Sequence, residues 1–406
     1  MKGSREAIKA LAREAVLAPQ EEMLEVGRRK KQLLIGIPKE TVYQEHRVAL
    51  IPAAVGMLVN RGHEVVMQRE AGKAVHFQDN DYSEAGAQIV ESEEEVFKAD
   101  MILKVAPPTE KEIGMLHNRQ ILISALQLTV QPKDLLKKMM QKKVCAVAWD
   151  YIQDKDKIYP IIRAMGEIAG NTAVQIASEY MSSDKDGPGT MLGGISGVAP
   201  SEVVIIGAGT VGEYATRAAL GVGASVKVFD DSIYRLRRLQ NDIGERIFTS
   251  VIQPKELKKA IKNADVAIGA LRAKHGRTPM VVTEEMVKEM KYGSVIVDVS
   301  IDQGGCFETS EVTSLTDPIF KKYGVIHYCV PNIASRVPRT ASHALSNIFA
   351  PILTDMGEQG GFENYIKRDP GFRNGVYVYN GTLTNDILGE TFELPYKDLD
   401  LLLDAM

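Results

Sequence analysis

Glu202-Val203-Val204-Ile205-Ile206-Gly207-Ala208-Gly209-Thr210-Val211-Gly212 is the stretch on which the fold turns. Its apolar, β-branched run reads as a buried strand. Glycines in the spacing G-x-G-x-x-G follow at once and open a helical segment, Glu213 to Leu220. Each glycine has a physical reason: the first permits the tight turn, the second lets backbone approach a pyrophosphate, and the third allows close helix–strand packing. The helix N-terminal amides then face the phosphates. The next strand, Ser225-Val226-Lys227-Val228-Phe229, ends on Asp230, whose carboxylate can accept both ribose hydroxyls and would repel a 2′-phosphate. A structural glycine turn with a surface aspartate is the bland alternative, and it does not account for strand, turn, helix, strand and acid together. The expectation is NAD, held by Gly207, Gly209, Thr210, Val211, Gly212 and Asp230. Asp231 adds negative charge in favour of NAD over NADP. Arg235 and the pair Arg237-Arg238 argue mildly the other way, and read as helix residues over the adenosine edge or in solvent.

Outward from this turn, strands and helices alternate. Leu33 to Ile37, Glu64 to Met67, Met101 to Val105 and Ile121 to Leu126 read as strands before it, and Ala264 to Ala270 and Ser294 to Val299 as strands after it. Such alternation predicts an α/β protein with parallel sheets covered by helices on both faces. Residues 32 to about 150 form one α/β unit. Residues 164–181 read as a long, small-residue-rich helix linking domains, and Ser182 to Pro200 as a Gly/Ser/Pro-rich loop, a lid or a hinge. The first 31 residues read as an amphipathic helical extension, with Ile8, Leu11 and Ala15 at helical spacing.

The bulk properties fit. A chain of 406 residues makes room for two to three domains of about 100–200 residues each. A formal net charge of −4 offers no electrostatic reason to expect nucleic acid or a membrane surface as partner. The longest apolar runs are too short for a membrane span, and the N-terminus lacks the apolar core of a signal peptide. Cys145, Cys306 and Cys329 are too widely spaced for a disulfide framework or a zinc site, so a reducing cytoplasm and no metal are expected.

Two further clusters carry chemistry. In Val297-Asp298-Val299-Ser300-Ile301-Asp302-Gln303-Gly304-Gly305-Cys306-Phe307 a strand runs into an acid and a glycine turn. Ligands of open α/β sheets bind at the carboxyl ends of strands, which puts Asp302 beside the nicotinamide and counts Ala270 and Leu271 among the cofactor contacts. Asp298 is left open between a structural and a catalytic role. In the first unit, Arg47 of the pair His46-Arg47 could bind a carboxylate through its fork of donors, or be one half of a solvated surface pair. Cys306 has no activating neighbour and reads as a small apolar filler, and His327 as a core histidine.

The chain resembles the alanine dehydrogenase family, which includes the NAD-binding half of proton-translocating nicotinamide nucleotide transhydrogenase. The resemblance rests on Gly36-Ile37-Pro38-Lys39-Glu40, Arg47-Val48-Ala49-Leu50-Ile51-Pro52, Leu103-Lys104-Val105, Gly166-Glu167-Ile168-Ala169-Gly170, Met191 to Val198, Val204 to Gly209, Val297 to Glu308 and Tyr328-Cys329-Val330-Pro331-Asn332. It implies two Rossmann-like domains with doubly wound sheets. The catalytic domain is discontinuous, 32–163 with 338–406, and an NAD-binding domain, 164–337, is inserted into it. It implies Arg47 for the substrate carboxylate, Asp302 next to the nicotinamide, Asp230 and Arg235 at the ribose, and Asn332 at the cofactor. It also implies a hexamer or dimer acting on L-alanine and pyruvate or a related amino or keto acid. Three positions depart from the family pattern: the catalytic lysine falls at Ala106, the catalytic histidine at Gln127, and a phosphate-contacting serine at Gly166. If Met101 to Val105 is a strand continuing to 106, Lys104 shares a face with Ala106 and its long stem could reach the vacated volume. Gln127 could donate a hydrogen bond to a carbonyl but could not shuttle a proton. The leading expectation is an NAD-dependent alanine dehydrogenase with Asp302, Lys104 and Gln127 as its catalytic set. The rivals are a dehydrogenase for another amino or imino acid and an NAD(H)-binding transhydrogenase-like or sensor module.

Overall fold

The computed structural model describes residues 30–42, 44–126, 133–273 and 277–404. The expected N-terminal helix and Gln127 lie outside the described residues.

Two sheets divide the chain. The first contains β1 (Leu34–Ile37), β2 (Glu64–Gln68), β3 (Gln88–Val90), β4 (Met101–Leu103), β5 (Ile121–Ser124), β6 (Cys145–Ala148), β14 (Val376–Tyr379) and β15 (Thr382–Leu383), in the order β15-β14-β6-β5-β4-β1-β2-β3. The second contains β7 (Glu202–Ile206), β8 (Ser225–Phe229), β9 (Phe248–Ser250), β10 (Val266–Gly269), β11 (Val295–Asp298), β12 (Ile319–Lys322) and β13 (Val325–Tyr328), in the order β12-β13-β11-β10-β7-β8-β9. Each sheet is parallel through its centre. One edge of each is antiparallel, β14 on β6 and β15 on β14 in the first, β12 on β13 in the second. β14–β15 and β12–β13 are hairpins through tight turns at Asn380-Gly381 and Tyr323-Gly324, which need no crossover helix.

The central strands are buried on both faces, as β10 and β11 are along their whole length, because helices cover both sides of each sheet. Three helices position the site. The first, α1 (Pro160–Tyr180), and the second, α2 (Thr210–Gly221), cross at small residues: a Cβ on Gly170 would stand 2.4 Å from the Val211 carbonyl oxygen. Ala173, Ala177, Ala215 and Ala219 are fully buried around that crossing. The third, α3 (Pro338–Glu358), lays Leu345, Phe349, Leu353 and Met356 into the core under the first sheet with Val55 and Leu58. The chain thus leaves the first sheet after β6, builds the second, and returns through α3 to complete the first.

Candidate active site

The glycine turn joins β7 to α2. Gly207 has φ +119°, a conformation L side chains rarely adopt, and its missing Cβ would lie 2.4 Å from the Ala270 carbonyl oxygen. A Cβ on Gly212 would lie 1.8 Å from the Gly207 carbonyl oxygen. Around Gly209, by contrast, nothing stands within 4 Å of a Cβ position, so the backbone there faces open space. No side chain caps α2, whose N-cap is Gly209. Thr210, Val211 and Gly212 therefore begin the helix with amides that have no intrahelical partner, a seat for a phosphate. These features fit a pyrophosphate resting on Gly209. Gly166, on α1, lies against Thr210: its Cβ would meet the Thr210 side chain at 3.4 Å.

Asp230 follows β8 and is 2% exposed. Its Oδ2 accepts from the Ala208 amide at 2.7 Å and its Oδ1 from the Ser232 amide at 2.8 Å, so it braces the glycine turn and leaves each oxygen one lone pair. Arg235 Nη1 stands 3.7 Å from Asp230 Oδ2, and Arg238 Nη2 donates to the Ala208 carbonyl at 3.3 Å. Ala270 is tied to β7 through its amide and the Ile206 carbonyl, 2.8 Å, and Leu271 continues that loop.

Asp298 ends β11 and is buried. It accepts from the amides of Ser300 and Cys306, both at 3.0 Å, and from Ser310 Oγ at 2.7 Å. These contacts brace the turn, Val299–Gln303, that carries Asp302. Asp302 is exposed, yet the protein packed around its carboxyl raises its pKa, and the Asn332 amide and the Arg47 charge offset only part of this. Its Oδ1 accepts from the Asn332 amide at 2.8 Å. Asn332 has φ +54°, in the left-handed region that asparagine tolerates better than most residues. Its side chain donates to Glu45 Oε2 at 2.9 Å, linking Asp302 to the first domain. Cys306 is fully buried with its thiol pKa pushed well up by burial, and His327 is a core residue hydrogen-bonded to Thr309.

Arg47 is buried, not a solvated surface group. Its Nε donates to Glu45 Oε1 at 2.7 Å and its Nη2 to Glu45 Oε2 at 2.6 Å, a two-pronged pair. Burial alone would push the Glu45 carboxyl up. The Arg47 charge and hydrogen bonds outweigh it and hold the carboxyl below its usual range. Arg47 Nη1 is left facing Met165 Sδ at 3.3 Å, and Asp302 contributes to the field around the guanidinium.

The expectation for Lys104 needs correction. Strand β4 ends at Leu103, so the two-residue alternation that would put Lys104 and Ala106 on one face stops before reaching them. Lys104 is 1% exposed, and its Nζ donates to Glu112 Oε1 at 2.6 Å with Glu40 Oε2 at 3.5 Å. Burial lowers an ammonium pKa, but the two carboxylates outweigh it and hold the lysine above its usual range. Lys104 is committed to this pair and does not fill the space at Ala106.

Glu40 and Glu45 are the residues that sequence reasoning missed as site members. Glu40 Oε1 accepts from the Val105 amide at 2.5 Å and reaches the Ala106 amide at 3.4 Å, which fixes the backbone where the resemblance puts a lysine. Burial, only partly offset by Lys104, raises its carboxyl to about 7. The available signal was the spacing Glu45-x-Arg47, an acid able to fold back onto its own arginine.

The family model described as alanine dehydrogenase/PNT, N-terminal domain, matches residues 36–169, and the corresponding C-terminal domain model matches residues 173–386. The chain is 38% identical over 369 residues to the alanine dehydrogenase of Staphylococcus saprophyticus, covering 91% of this chain and 99% of that one. Among solved structures it is similar to an L-alanine dehydrogenase, with TM-score 0.83 and 35% identity over 88% of this chain and 99% of that one. A transhydrogenase from Sinorhizobium meliloti shares the fold, with TM-score 0.74 and 23% identity over 87% of this chain and 99% of that one.

Proposed function

The chain belongs to the alanine dehydrogenase/PNT family, and we propose that it is an NAD-dependent dehydrogenase of L-alanine or a closely related amino acid. In this reading NAD lies on the glycine turn. Gly207, Gly209, Thr210, Val211 and Gly212 hold the pyrophosphate, Asp230 and Arg235 lie at the ribose, and Ala270, Leu271 and Asn332 flank the nicotinamide end. When bound, NAD supplies the acceptor for a hydride from the substrate Cα. The carboxylate of the amino acid is bound by the edge of Arg47 that Glu45 does not occupy. Asp302 keeps one oxygen on the Asn332 amide and offers the other to the substrate nitrogen or to the water that hydrolyses the imine. Its raised pKa suits it to take a proton from that water and return it to the leaving ammonia. We assign the parts to a cytoplasmic homo-oligomer, a dimer or hexamer. Among the described residues no helix is long and apolar enough to cross a membrane.

The observation that carries the reading is Asn332, whose amide holds Asp302 and whose side chain holds Glu45, the partner of Arg47, so that one residue joins the two halves of the site. The test is NADH formation over a panel of L-amino acids for the wild-type chain and Asp302→Asn. Turnover should fall in the variant while NADH binding, followed by its fluorescence, stays within about twofold. If the wild-type chain oxidises none of the amino acids, the dehydrogenase reading is wrong and a nucleotide-binding module remains. One observation favours a substrate other than alanine: Lys104 is held by Glu112, away from position 106, where the resemblance puts the family's lysine and this chain has alanine.

A further inference from the structure

Arg272 follows Leu271 on the loop at the carboxyl end of β10. The loop is fixed from both sides. The Ala270 amide donates to the Ile206 carbonyl at 2.8 Å, and the Ala273 amide donates to Gln303 Oε1 at 3.0 Å. Gln303 is the immediate neighbour of Asp302, so Arg272 stands between two anchors on the wall that presents Asp302. Its side chain is exposed and makes no hydrogen bond or ion pair among the described residues. Its charge nevertheless acts on Asp302 in its own domain and on Tyr151 in the other, across the junction of the two domains.

The two arginines at this junction differ in what they have left to give. Arg47 has its Nε and Nη2 occupied by Glu45, with Glu40 and Asp302 contributing further negative charge. It retains donors for at most one small anionic group. Arg272 retains its whole fork of five N–H donors.

We propose that Arg272 is a substrate-binding residue that pairs with a second carboxylate, making the substrate a 2-amino dicarboxylic acid and its 2-keto counterpart, with Arg47 taking the first carboxylate. The inference rests on the dehydrogenase reading for its chemistry, but the binding geometry can be tested without turnover. Guanidinium and carboxylate match in a bidentate geometry that a methyl side chain such as alanine's cannot exploit. Selectivity follows, because a pocket arginine left unpaired by a smaller substrate forfeits that interaction.

The test is Arg272→Met, which keeps the unbranched stem of the side chain and removes the guanidinium with its charge. In steady-state NADH formation the ratio of kcat/KM for L-aspartate or L-glutamate to that for L-alanine should fall roughly 10- to 100-fold, the range of one charge-assisted hydrogen bond. An unchanged ratio overturns the proposal, as does an effect confined to the affinity for NADH, which would make Arg272 a cofactor contact. In parallel, oxaloacetate and 2-oxoglutarate are titrated into the NADH complex and read by cofactor fluorescence. Weakened binding in Arg272→Met with no turnover in wild type sustains the carboxylate site and sinks the dehydrogenase. Turnover with neither keto acid binding through Arg272 does the reverse.

Discussion

The candidate site in the second domain is built of backbone, and the one in the first domain of side chains that are already paired to one another. At the glycine turn the groups that face a ligand are the amides at the start of α2 and the open space at Gly209, and no side chain has to be chosen or charged to make them. At the first domain the reactive inventory is Glu40, Glu45, Arg47, Lys104 and Glu112, in which each group owes its state to its neighbours. A backbone site is dictated by sterics, since a Cβ either fits or does not. A buried charge cluster is dictated by partners, and one substitution changes the protonation and the stability of the rest.

The largest effect should come from breaking the cluster at its centre. Lys104→Met leaves Glu112 and Glu40 buried without their cation, which costs about 3–5 kcal/mol by analogy with other broken buried pairs. Replacing all three, Glu40→Gln, Lys104→Met and Glu112→Gln, should recover most of that loss in urea unfolding. If Lys104→Met keeps wild-type stability and loses only turnover, the lysine is a reacting group and its assignment to the pair is wrong.

This contrast also explains what could be read from the residues alone. The central strands, the glycine turn and Asp230 were legible because local pattern and backbone sterics determine them. The edge strands β3, β9, β12 and β15 were not, because they are only two to four residues long and their place depends on the sheet they join, and β6 and β14 inside the first sheet were missed as well. At the site, Asp302 was legible as an acid at a strand end, whereas Arg47 taken alone also read as a surface ion pair and was singled out only through the resemblance. That Lys104 turns to Glu112 depends on where β4 stops. The run Met101 to Val105 gives no sign of that stop, which comes from Glu40 seizing the Val105 amide.

Glu40 gives the next test, through pH. Its carboxyl is raised from 4.5 to about 7, so the folded state holds a proton that the unfolded chain has released. Its stabilising contribution is therefore full below about pH 4.5 and is lost as pH rises through about 7. Over that interval wild type should lose up to about 3 kcal/mol relative to Glu40→Gln, which cannot titrate. Unfolding curves of both proteins at pH 5 and pH 8 measure the difference. A gap that does not change with pH means that Glu40 is ionised throughout and fully compensated by Lys104.

The backbone side should respond to volume and be indifferent to pH. Gly212→Ala puts a Cβ against the Gly207 carbonyl at 1.8 Å, so the turn must open. The expected cost is about 1–3 kcal/mol of stability, typical of overpacking, together with weaker NADH binding. Both losses should be equal at pH 5 and pH 8, in contrast to Glu40. Retained NADH affinity would mean that the pyrophosphate does not rest on this turn.

Asp230 is where the two kinds of site meet, since one side chain both braces backbone and sets the charge seen by the ribose. Its Oδ2 holds the Ala208 amide at 2.7 Å and its Oδ1 the Ser232 amide at 2.8 Å. Asp230→Asn preserves the shape and one acceptor oxygen but removes the charge, whereas Asp230→Ala removes both. If charge alone governs cofactor choice, the two variants should narrow the NADH-over-NADPH preference equally. The geometry predicts otherwise. Alanine frees the glycine turn as well, so it should weaken both cofactors, by roughly tenfold for the loss of one hydrogen bond to a charged group. Asparagine should weaken NADH less and improve NADPH, because Arg235, 3.7 Å from Asp230 Oδ2 and no longer neutralised, becomes available to a 2′-phosphate. Calorimetric titration of both cofactors against both variants separates the contributions. Equal profiles for asparagine and alanine would show that the brace on Ala208 carries no binding energy, and that Asp230 acts on the ribose alone.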